Sequence, residues 1–199
     1  MISHPEALEK VLATATHFGS EKIPLLESLN RILAEDIFAD RDFPPFDRVT
    51  KDGIAVNSQA LENNKTSFRI EAVYAAGSPQ GILNSLENCV EIMTGAMLPK
   101  NCDSVIMYED IEIKNGIATL QTEVKPRINI HRKGSDRQSG EKVLCKNQRI
   151  SAKEIGVLAT VGTSKVLVKK LPKIAIISTG DELVNVEETP LPHQIRTSN

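Results

Sequence analysis

The segment IEIK-NG-IATL, residues 111–120, constrains the fold more than any other stretch of the chain. Two short apolar runs flank an Asn-Gly step, which supplies the two positive-φ residues that a tight hairpin turn needs. Further brief apolar runs separated by Gly, Pro and Asn extend from residue 68 to residue 124, and such runs are typical of short strands. They are FRIEAVYA, CVEIMT and SVIMYE. This part of the chain is therefore predicted to form a β domain.

Two capping boxes predict helices on either side of the β region. Ser3 with Glu6, and Ser151 with Glu154, each place a capping hydroxyl three residues before its acidic partner. The second pair introduces the helix AKEIGVLATV, for which Gly162 is a natural end. The first introduces an amphipathic helix. Its apolar face comprises Ala7, Leu8, Val11, Leu12 and Ala15.

The remaining periodic segments predict strands near the C-terminus and a mixed segment near the N-terminus. SKVLVKKLP, residues 164–172, is a strand closed by proline, whereas residues 22–39 favour a short helix leading into a strand. KIAIIST, residues 173–179, is apolar throughout and stops at Gly180, which is typical of a buried parallel strand. Ligands of α/β sheets bind at the carboxyl ends of such strands.

The charge balance excludes several classes of partner. The chain carries 24 basic and 26 acidic residues, giving a net charge of −2, with no long run of either sign. A nucleic acid or an anionic membrane surface is therefore not expected as a partner. The N-terminus MISHPEALEKV has no basic flank followed by an apolar stretch, and nowhere do eighteen apolar residues run together. We expect a cytoplasmic protein.

Cysteine and histidine spacing argues against two further kinds of site. The 3 cysteines are odd in number and widely spaced, which fits neither a disulfide framework nor a zinc site. The 4 histidines are scattered, with no pair at i, i+4. Any metal ligand is therefore expected to be a carboxylate.

Two polar stretches are candidates for a site. In DFPPFDRVTKDGIAV, residues 42–56, two prolines fix φ and stiffen a loop that leads into an apolar strand, which suits a preorganised site. Asp52 and Gly53 in that loop are also compatible with a simple turn. The second stretch, INIHRKGSDRQSGEKV, contains no periodic segment and is either a linker or a site.

Four stretches follow one another along the chain: DFPPFDRVTKDGIAV, EIMTGAMLPKNCDSVIMYED, KGSDRQSGEKVLCKNQRISAKEIGVLATVGTSKVLV and PKIAIISTGDELV. In this order they resemble the N-terminal part of the MoeA family, the molybdopterin molybdenumtransferases, whose eukaryotic relatives include gephyrin. The resemblance implies an α+β multidomain fold in which an extended linker domain carries an inserted β domain. A truncated α/β molybdopterin-binding domain would contribute its first strand.

The resemblance also implies a division of the chain and an assembly. Residues 1–45 and 140–171 would form the extended linker and dimerisation domain, and residues 46–139 the inserted β domain. Residues 172–199 would begin the molybdopterin-binding domain. The family is a homodimer whose active cleft is shared between subunits, so a homodimer is expected here.

The implied reaction is the insertion of molybdate into adenylylated molybdopterin, followed by cleavage of the adenylate, with Mg²⁺ as cofactor. Hydroxyl groups and open backbone N–H groups bind oxyanions, and carboxylate oxygens bind hard cations. The implied catalytic residues are Asp52, Asp136 and Glu154, although a capping-box role competes for Glu154. The implied cofactor-binding residues are Thr94, Gly95, Ser178, Thr179 and Asp181, with Asp181 also the candidate metal ligand.

The sequence departs from the family pattern in two places. The family loop reads N-S-A-M-D-G-Y-A. Its small polar residue is replaced here by Val49, its apolar residue by Lys51 and its aromatic residue by Ile54. The G-G-x-S and P-G-x-P segments that follow in the family do not occur before Asn199. We therefore expect either an incomplete portion of the enzyme or a shortened relative, dimeric but inactive alone. The alternative is a non-catalytic dimeric scaffold or binding module of the same architecture.

Overall fold

The computed structural model describes residues 2–14 and 17–198. Its helices are α1 (His4–Ala13), α2 (Ser58–Glu62) and α3 (Ala152–Thr160). The first seven strands are β1 (Ser20–Pro24), β2 (Ile37–Phe38), β3 (Arg48–Val49), β4 (Gly53–Val56), β5 (Ser67–Tyr74), β6 (Cys89–Ile92) and β7 (Ser104–Met107). The others are β8 (Ile111–Lys114), β9 (Ile117–Leu120), β10 (Ile130–His131), β11 (Lys142–Leu144), β12 (Lys165–Lys169), β13 (Leu183–Val184) and β14 (Ile195–Arg196).

The central element is a six-stranded sheet in the order β7-β4-β6-β5-β9-β8. The β5–β6 pair is parallel, and the other neighbours are antiparallel. The predicted hairpin is confirmed: β8 and β9 pair across Asn115 and Gly116, whose φ angles are 51° and 74°. The run of short strands predicted between residues 68 and 124 therefore forms this sheet together with β4.

Strand β4 lies inside the sheet and is buried on both faces. It pairs with β6 along one edge and with β7 along the other, and all four of its residues are buried. Ala55 packs on one face with Val90 and Val105, whereas Ile54 and Val56 pack on the opposite face. An interior strand whose two edges and two faces are all occupied has little freedom to move. It therefore holds the preceding loop in place.

The segments before and after the sheet pack against each other. Strand β1 pairs with β12 over their whole lengths, and β2 pairs with β11. A separate core joins the two segments, comprising Leu33, Ile37, Leu144, Ile150, Leu158, Val161, Val166 and Val168. The sheet is thus built from chain lying between two segments that close on one another. The domain boundaries given above stay a prediction.

Both predicted capping boxes are present. Ser3 and Glu6 cap α1, and Ser151 and Glu154 cap α3, which Gly162 follows with a φ of 75°. Within α1 no residue is buried. Ala15, which was expected to extend its apolar face, lies outside the described residues. Among residues 2–14 and 17–198, the structure contains no helix of the length and apolar character needed to cross a membrane.

One sequence-based prediction is wrong and another is confirmed in part. Residues 173–179 form no strand, and Ile174, Ile176 and Ile177 are 79%, 75% and 81% exposed. Apolar composition favours a strand, but a strand forms only where a neighbour accepts its hydrogen bonds, and the described residues offer none to this segment. In residues 22–39 the predicted short helix is a 3₁₀ helix at Leu25–Glu27 and the predicted strand is β2, but strand β1 before them was not predicted.

Two of the three cysteines lie in the core. Cys89 and Cys102 are buried and Cys145 is exposed, and all three are free thiols. Burial raises the pKa of both core thiols to about 12, which keeps them protonated. The two core cysteines therefore act as small apolar residues.

We predict that Gly53→Ala strongly destabilises the protein. A Cβ at position 53 would lie 1.9 Å from the carbonyl oxygen of Ile106 on β7, so the central strands would have to separate. Overpacking at an interior strand should lower the free energy of unfolding by about 3 kcal/mol or more. Urea denaturation measures the change.

Gly156→Ala is the matched control for this substitution. Gly156 lies within α3, and a Cβ there meets no atom within 4 Å. Replacement of a helical glycine by alanine should raise the free energy of unfolding by about 0.5 to 1 kcal/mol. Equal effects of the two substitutions would contradict the close packing of β4 against β7.

Candidate functional site

The candidate site is built from two loops that are tied to each other. The loop over residues 42–52 leads into β4, and the loop over residues 128–139 runs beside it. The amide of Phe43 donates to the carbonyl of Arg137, and the amide of Gly134 donates to the carbonyl of Pro44. Strands β3 and β10, one from each loop, also pair. The two polar stretches that the sequence singles out therefore form one surface.

Asp52 lies at the beginning of β4 with its carboxylate exposed. Its Oδ1 accepts a hydrogen bond of 2.6 Å from the backbone N–H of Thr94. This bond, followed by a hydrogen bond from the Thr94 side chain, lowers the pKa of Asp52. The carboxylate is thus held in one position, faces solvent and is ionised at neutral pH.

The loop that follows β6 contains Thr94 and Gly95, as the sequence predicts, but it does not offer free amides. The N–H of Gly95 donates to the carbonyl of Val49 at 2.9 Å, and the N–H of Val49 donates to Ala96 at 3.0 Å. The expectation of an open N–H at Gly95 is therefore wrong, because this loop pairs with β3. The Thr94 hydroxyl, which also contacts the Asp52 carboxylate, remains as the candidate group for binding an oxyanion.

Tyr108 and Glu91 lie beside Asp52 and were not singled out by sequence. The N–H of Tyr108 donates to the backbone carbonyl of Asp52 at 3.2 Å, and the Tyr108 hydroxyl donates to Glu91 Oε1. Burial, then the hydrogen bond to Glu91 and the negative charges of Glu91 and Asp52, raise the pKa of Tyr108. The phenol is therefore a protonated hydrogen-bond donor. Only the strand register reveals this pair, because β4 separates the two residues in the sheet.

Asp136 is exposed and forms a hydrogen-bonded chain with two residues that the sequence did not indicate. His131 Nε2 lies 2.8 Å from Asp136 Oδ1, and His131 Nδ1 lies 3.1 Å from Arg48 Nη2. Arg48 and His131 are directly opposite each other in the β3–β10 pair. The histidines were considered only as metal ligands, so this cross-strand pair was missed.

Glu154 is only 6% exposed, and its carboxylate is fully engaged within the protein. Oε2 accepts from the backbone N–H and the hydroxyl of Ser151, and Oε1 accepts from Gln148 at 3.2 Å. The hydrogen bonds from the Ser151 side chain and then its backbone lower the pKa of Glu154. This geometry supplies a structural reason for the residue, and a chemical role for Glu154 stays a prediction.

The residues Ser178, Thr179 and Asp181 lie apart from a regular sheet. They belong to the segment that was expected to be a strand, and Thr179 and Asp181 are exposed. Ser178 contributes to a shallow cavity of about 420 Å³ together with Gly180 and Val184. The predicted position of these residues at the end of a buried strand is therefore wrong.

The described residues do not form a metal centre by themselves. Over residues 2–14 and 17–198, no group of three or more His, Cys, Asp or Glu side chains is arranged to hold a metal ion. Asp181 is exposed and can offer a single carboxylate. Among the described residues, Asp181 alone does not make a magnesium site, and further ligands would have to come from water or substrate.

Comparison with known proteins decides the family. Residues 2–162 match the profile of the MoeA N-terminal region (domain I and II). The chain belongs to the MoeA family. A "Molybdopterin molybdenumtransferase" from Synechocystis is 39% identical over 100% of this chain and 52% of that relative. One from Staphylococcus aureus is 37% identical over 98% of this chain and 47% of that relative. The chain thus spans about half the length of the curated relatives it matches.

Solved structures of MoeA proteins share this fold. A molybdopterin biosynthesis MoeA protein from Pyrococcus horikoshii has 35% sequence identity and a TM-score of 0.83, covering 98% of this chain and 51% of that one. A second structure of MoeA from that organism has 32% identity and a TM-score of 0.84 over 94% of this chain. The MoeA fold of the described residues is therefore shown by both sequence and structure.

The capping role of Glu154 in this MoeA chain predicts a pH-dependent contribution to stability. The pKa of Glu154 is lower in the folded chain than its ordinary value of 4.5, so the carboxylate stabilises the fold above that value. The contribution is lost as the pH falls through the folded pKa. Glu154→Gln, which keeps an acceptor but removes the charge, should therefore be less stable than the wild type at neutral pH.

Urea denaturation of both proteins from about pH 7 to pH 3 measures this difference in stability. We expect it to shrink as the pH falls below 4.5. Glu112→Gln, at an exposed position on edge strand β8, is the control. A difference for Glu154→Gln that is independent of pH would contradict the charged cap.

Proposed function

We propose that this chain forms part of a molybdopterin molybdenumtransferase, which inserts molybdate into adenylylated molybdopterin and cleaves the adenylate. Relatives that bear this enzyme name align with the whole of the chain at 36% to 39% identity. Those relatives are about twice as long, so the complete activity is proposed for a protein in which this chain joins a molybdopterin-binding unit.

The observation that carries the proposal is the fixed carboxylate of Asp52. Asp52 immediately precedes β4, a strand that is buried on both faces. Its carboxylate is held by the backbone N–H of Thr94 and still faces solvent. A positioned, ionised carboxylate can accept a proton from water or from a hydroxyl group during cleavage of an adenylate. Positioning alone can account for a large share of such a rate enhancement. Asp52 is therefore the proposed catalytic base.

The neighbouring cations fit anionic substrates. Molybdate and an adenylylated molybdopterin both carry negative charge, and bringing them together requires that this charge be offset. Arg48 and Lys51 are exposed in the loop that ends at Asp52. Lys51 stands where the family pattern has an apolar residue, so the charge is a feature of this chain. Asp136 would orient a polar group of the substrate from the facing loop.

Magnesium enters the proposal only as a partner of the substrate. Mg²⁺ is commonly bound by one or two carboxylates together with substrate phosphate oxygens and water. Asp181 is the candidate carboxylate. Ser178 and Thr179 would contribute hydroxyl groups to the same substrate, and Gly95 would permit its close approach. Bound Mg²⁺ would supply charge neutralisation at the phosphate.

A homodimer is part of the same proposal. Helix α1 presents Leu8, Val11 and Leu12, which are 49%, 66% and 63% exposed. Such an apolar face favours association. Sharing the site between two subunits would place a second chain opposite Asp52.

Light scattering at micromolar concentration should give twice the mass of one chain. A monomer at that concentration would exclude the shared site.

The predicted effect of Asp52→Asn tests the function directly. The chain is fused to the C-terminal half of the Synechocystis relative, and AMP release and molybdenum incorporation are measured with adenylylated molybdopterin and molybdate. We expect Asp52→Asn to abolish both, because an amide cannot accept the proton. The melting temperature should shift by no more than about 3 °C, since the side chain is exposed and keeps its acceptor oxygen.

The control for this experiment is Glu112→Gln, an exposed carboxylate on edge strand β8, which should leave the rate unchanged. Full activity of the Asp52→Asn fusion would exclude Asp52 as the base. A fusion that is folded and inactive with Asp52 intact would favour the scaffold alternative, provided that the Synechocystis protein is active in the same assay.

A further inference from the structure

The hydrogen-bonded chain Arg48–His131–Asp136 has a defined direction. A guanidinium group only donates hydrogen bonds, so the contact of 3.1 Å between Arg48 Nη2 and His131 Nδ1 requires an unprotonated Nδ1. A neutral imidazole with a bare Nδ1 carries its proton on Nε2. Nε2–H then donates to Asp136 Oδ1 at 2.8 Å. Each of the three side chains thereby fixes the next.

Backbone contacts fix both ends of this series of hydrogen-bonded side chains. Arg48 and His131 occupy opposite positions in the β3–β10 pair, so their separation is set by strand register. The N–H of Asp136 donates to the carbonyl of Phe43 at 2.9 Å, which anchors the residue to the facing loop. The hydrogen bond from His131 then leaves Oδ2 of Asp136 as the oxygen without a bond in the described part of the chain.

Other charged groups around the imidazole already have partners of their own. Arg132 pairs with Asp47 at 2.6 Å, and Lys133 lies 3.4 Å from Asp42. Arg137 donates to the backbone carbonyl of Asp136 at 2.8 Å. The groups that face the two ring nitrogens of His131 are therefore the Arg48 guanidinium and the Asp136 carboxylate.

We propose that His131 is a positioning residue, which Arg48 holds as the Nε2–H tautomer and which in turn orients the carboxylate of Asp136 toward the substrate. Protonation of the ring would place an N–H on Nδ1 against the guanidinium, so the hydrogen bond between Arg48 and His131 would be lost. The effect on catalysis rests on the proposed function, whereas the tautomer does not.

If His131 served only to stabilise the fold, its loss would lower the melting temperature and leave the rate of the folded protein unchanged. The side chains of His131 and Asp136 are 30% and 57% exposed. Exposed charged contacts contribute little to stability. Loss of His131 should therefore leave the melting temperature almost unchanged. A positioning role is instead tested by the tautomer of the His131 ring and by the kcat of His131 variants.

The first test reads the tautomer in the 199-residue chain by two-dimensional ¹H–¹⁵N NMR of its histidine rings at neutral pH. His131→Gln identifies the signals of His131 by their absence. We expect a protonated Nε2 and an unprotonated Nδ1. Arg48→Met should shift the Nδ1 signal of His131, because the hydrogen bond to that nitrogen is lost. Arg149, whose guanidinium contacts Asn30, is the control, and Arg149→Met should leave the signal unchanged. An Nδ1–H tautomer in the wild type would overturn the proposal, as would an Arg48→Met spectrum identical to it.

The second test compares two amide replacements of different reach in the active fusion protein. The NH₂ group of Gln can take the place of Nε2–H, whereas the shorter Asn side chain reaches only the position of Nδ1. We expect His131→Asn to lower kcat by about 10- to 100-fold, as for a displaced catalytic group, and His131→Gln to retain most of the rate. Equal rates for the two variants would overturn the positioning role.

The two tests separate this inference from the function on which it rests. If the NMR data give the expected tautomer but Asp136→Asn retains full activity, the proposed role of Asp136 fails and the hydrogen-bonded chain stands as structure. If the NMR data give the other tautomer, the inference fails whatever the activity. Loss of activity in Asp136→Asn together with the His131 pattern would support both.

Discussion

The placement of strand β4 is the constraint on which the candidate site depends. Hydrogen bonds on both edges and apolar side chains on both faces fix this strand. Gly53 permits the close approach to β7 that a side chain would prevent. Asp52, one residue earlier, emerges from the sheet beside Thr94 and Tyr108 because the register places those residues there. The position of the carboxylate is thus a property of the whole sheet.

Contacts between the two loops extend this order to the second carboxylate. Asp47 accepts from Arg132 and from the backbone N–H of Lys133, and Asp42 accepts from Ser139 at 2.9 Å. The acids of the first loop therefore bind the second loop, which carries Asp136. These contacts explain why a stiff, charged loop precedes the apolar strand β4. Its outer acids hold the facing loop, and its last acid, Asp52, is exposed to solvent.

Local features of the fold could be predicted from the sequence, whereas features that depend on distant partners could not. The Asn115-Gly116 hairpin and both capping boxes are specified by residues within a few positions of one another. Strand β1 was missed because its partner, β12, lies at the other end of the sheet-forming region. Residues 173–179 have the composition of a strand but no partner among the described residues, so composition alone predicted a strand that does not form.

The same distinction holds for the candidate site. Asp52 and Thr94 were found through motifs, yet the availability of the Gly95 amide was misjudged because its acceptor is the carbonyl of Val49. Arg48 and His131 are 83 residues apart, and neither belongs to a motif that predicts their contact. Glu154 satisfied two interpretations equally well in the sequence. Its burial in the cap supports the structural one without excluding the other.

The central claim is that Thr94 holds the Asp52 carboxylate in place for its proposed role. A double-mutant cycle on molybdate insertion by the fusion protein tests it, with Asp52→Glu, which keeps a carboxylate but displaces it, Thr94→Val and the double variant compared in single-turnover reactions. Groups in direct contact are coupled, so the double variant should be no slower than the worse single variant. Independent losses that multiply in the double variant would show that the two residues do not work together.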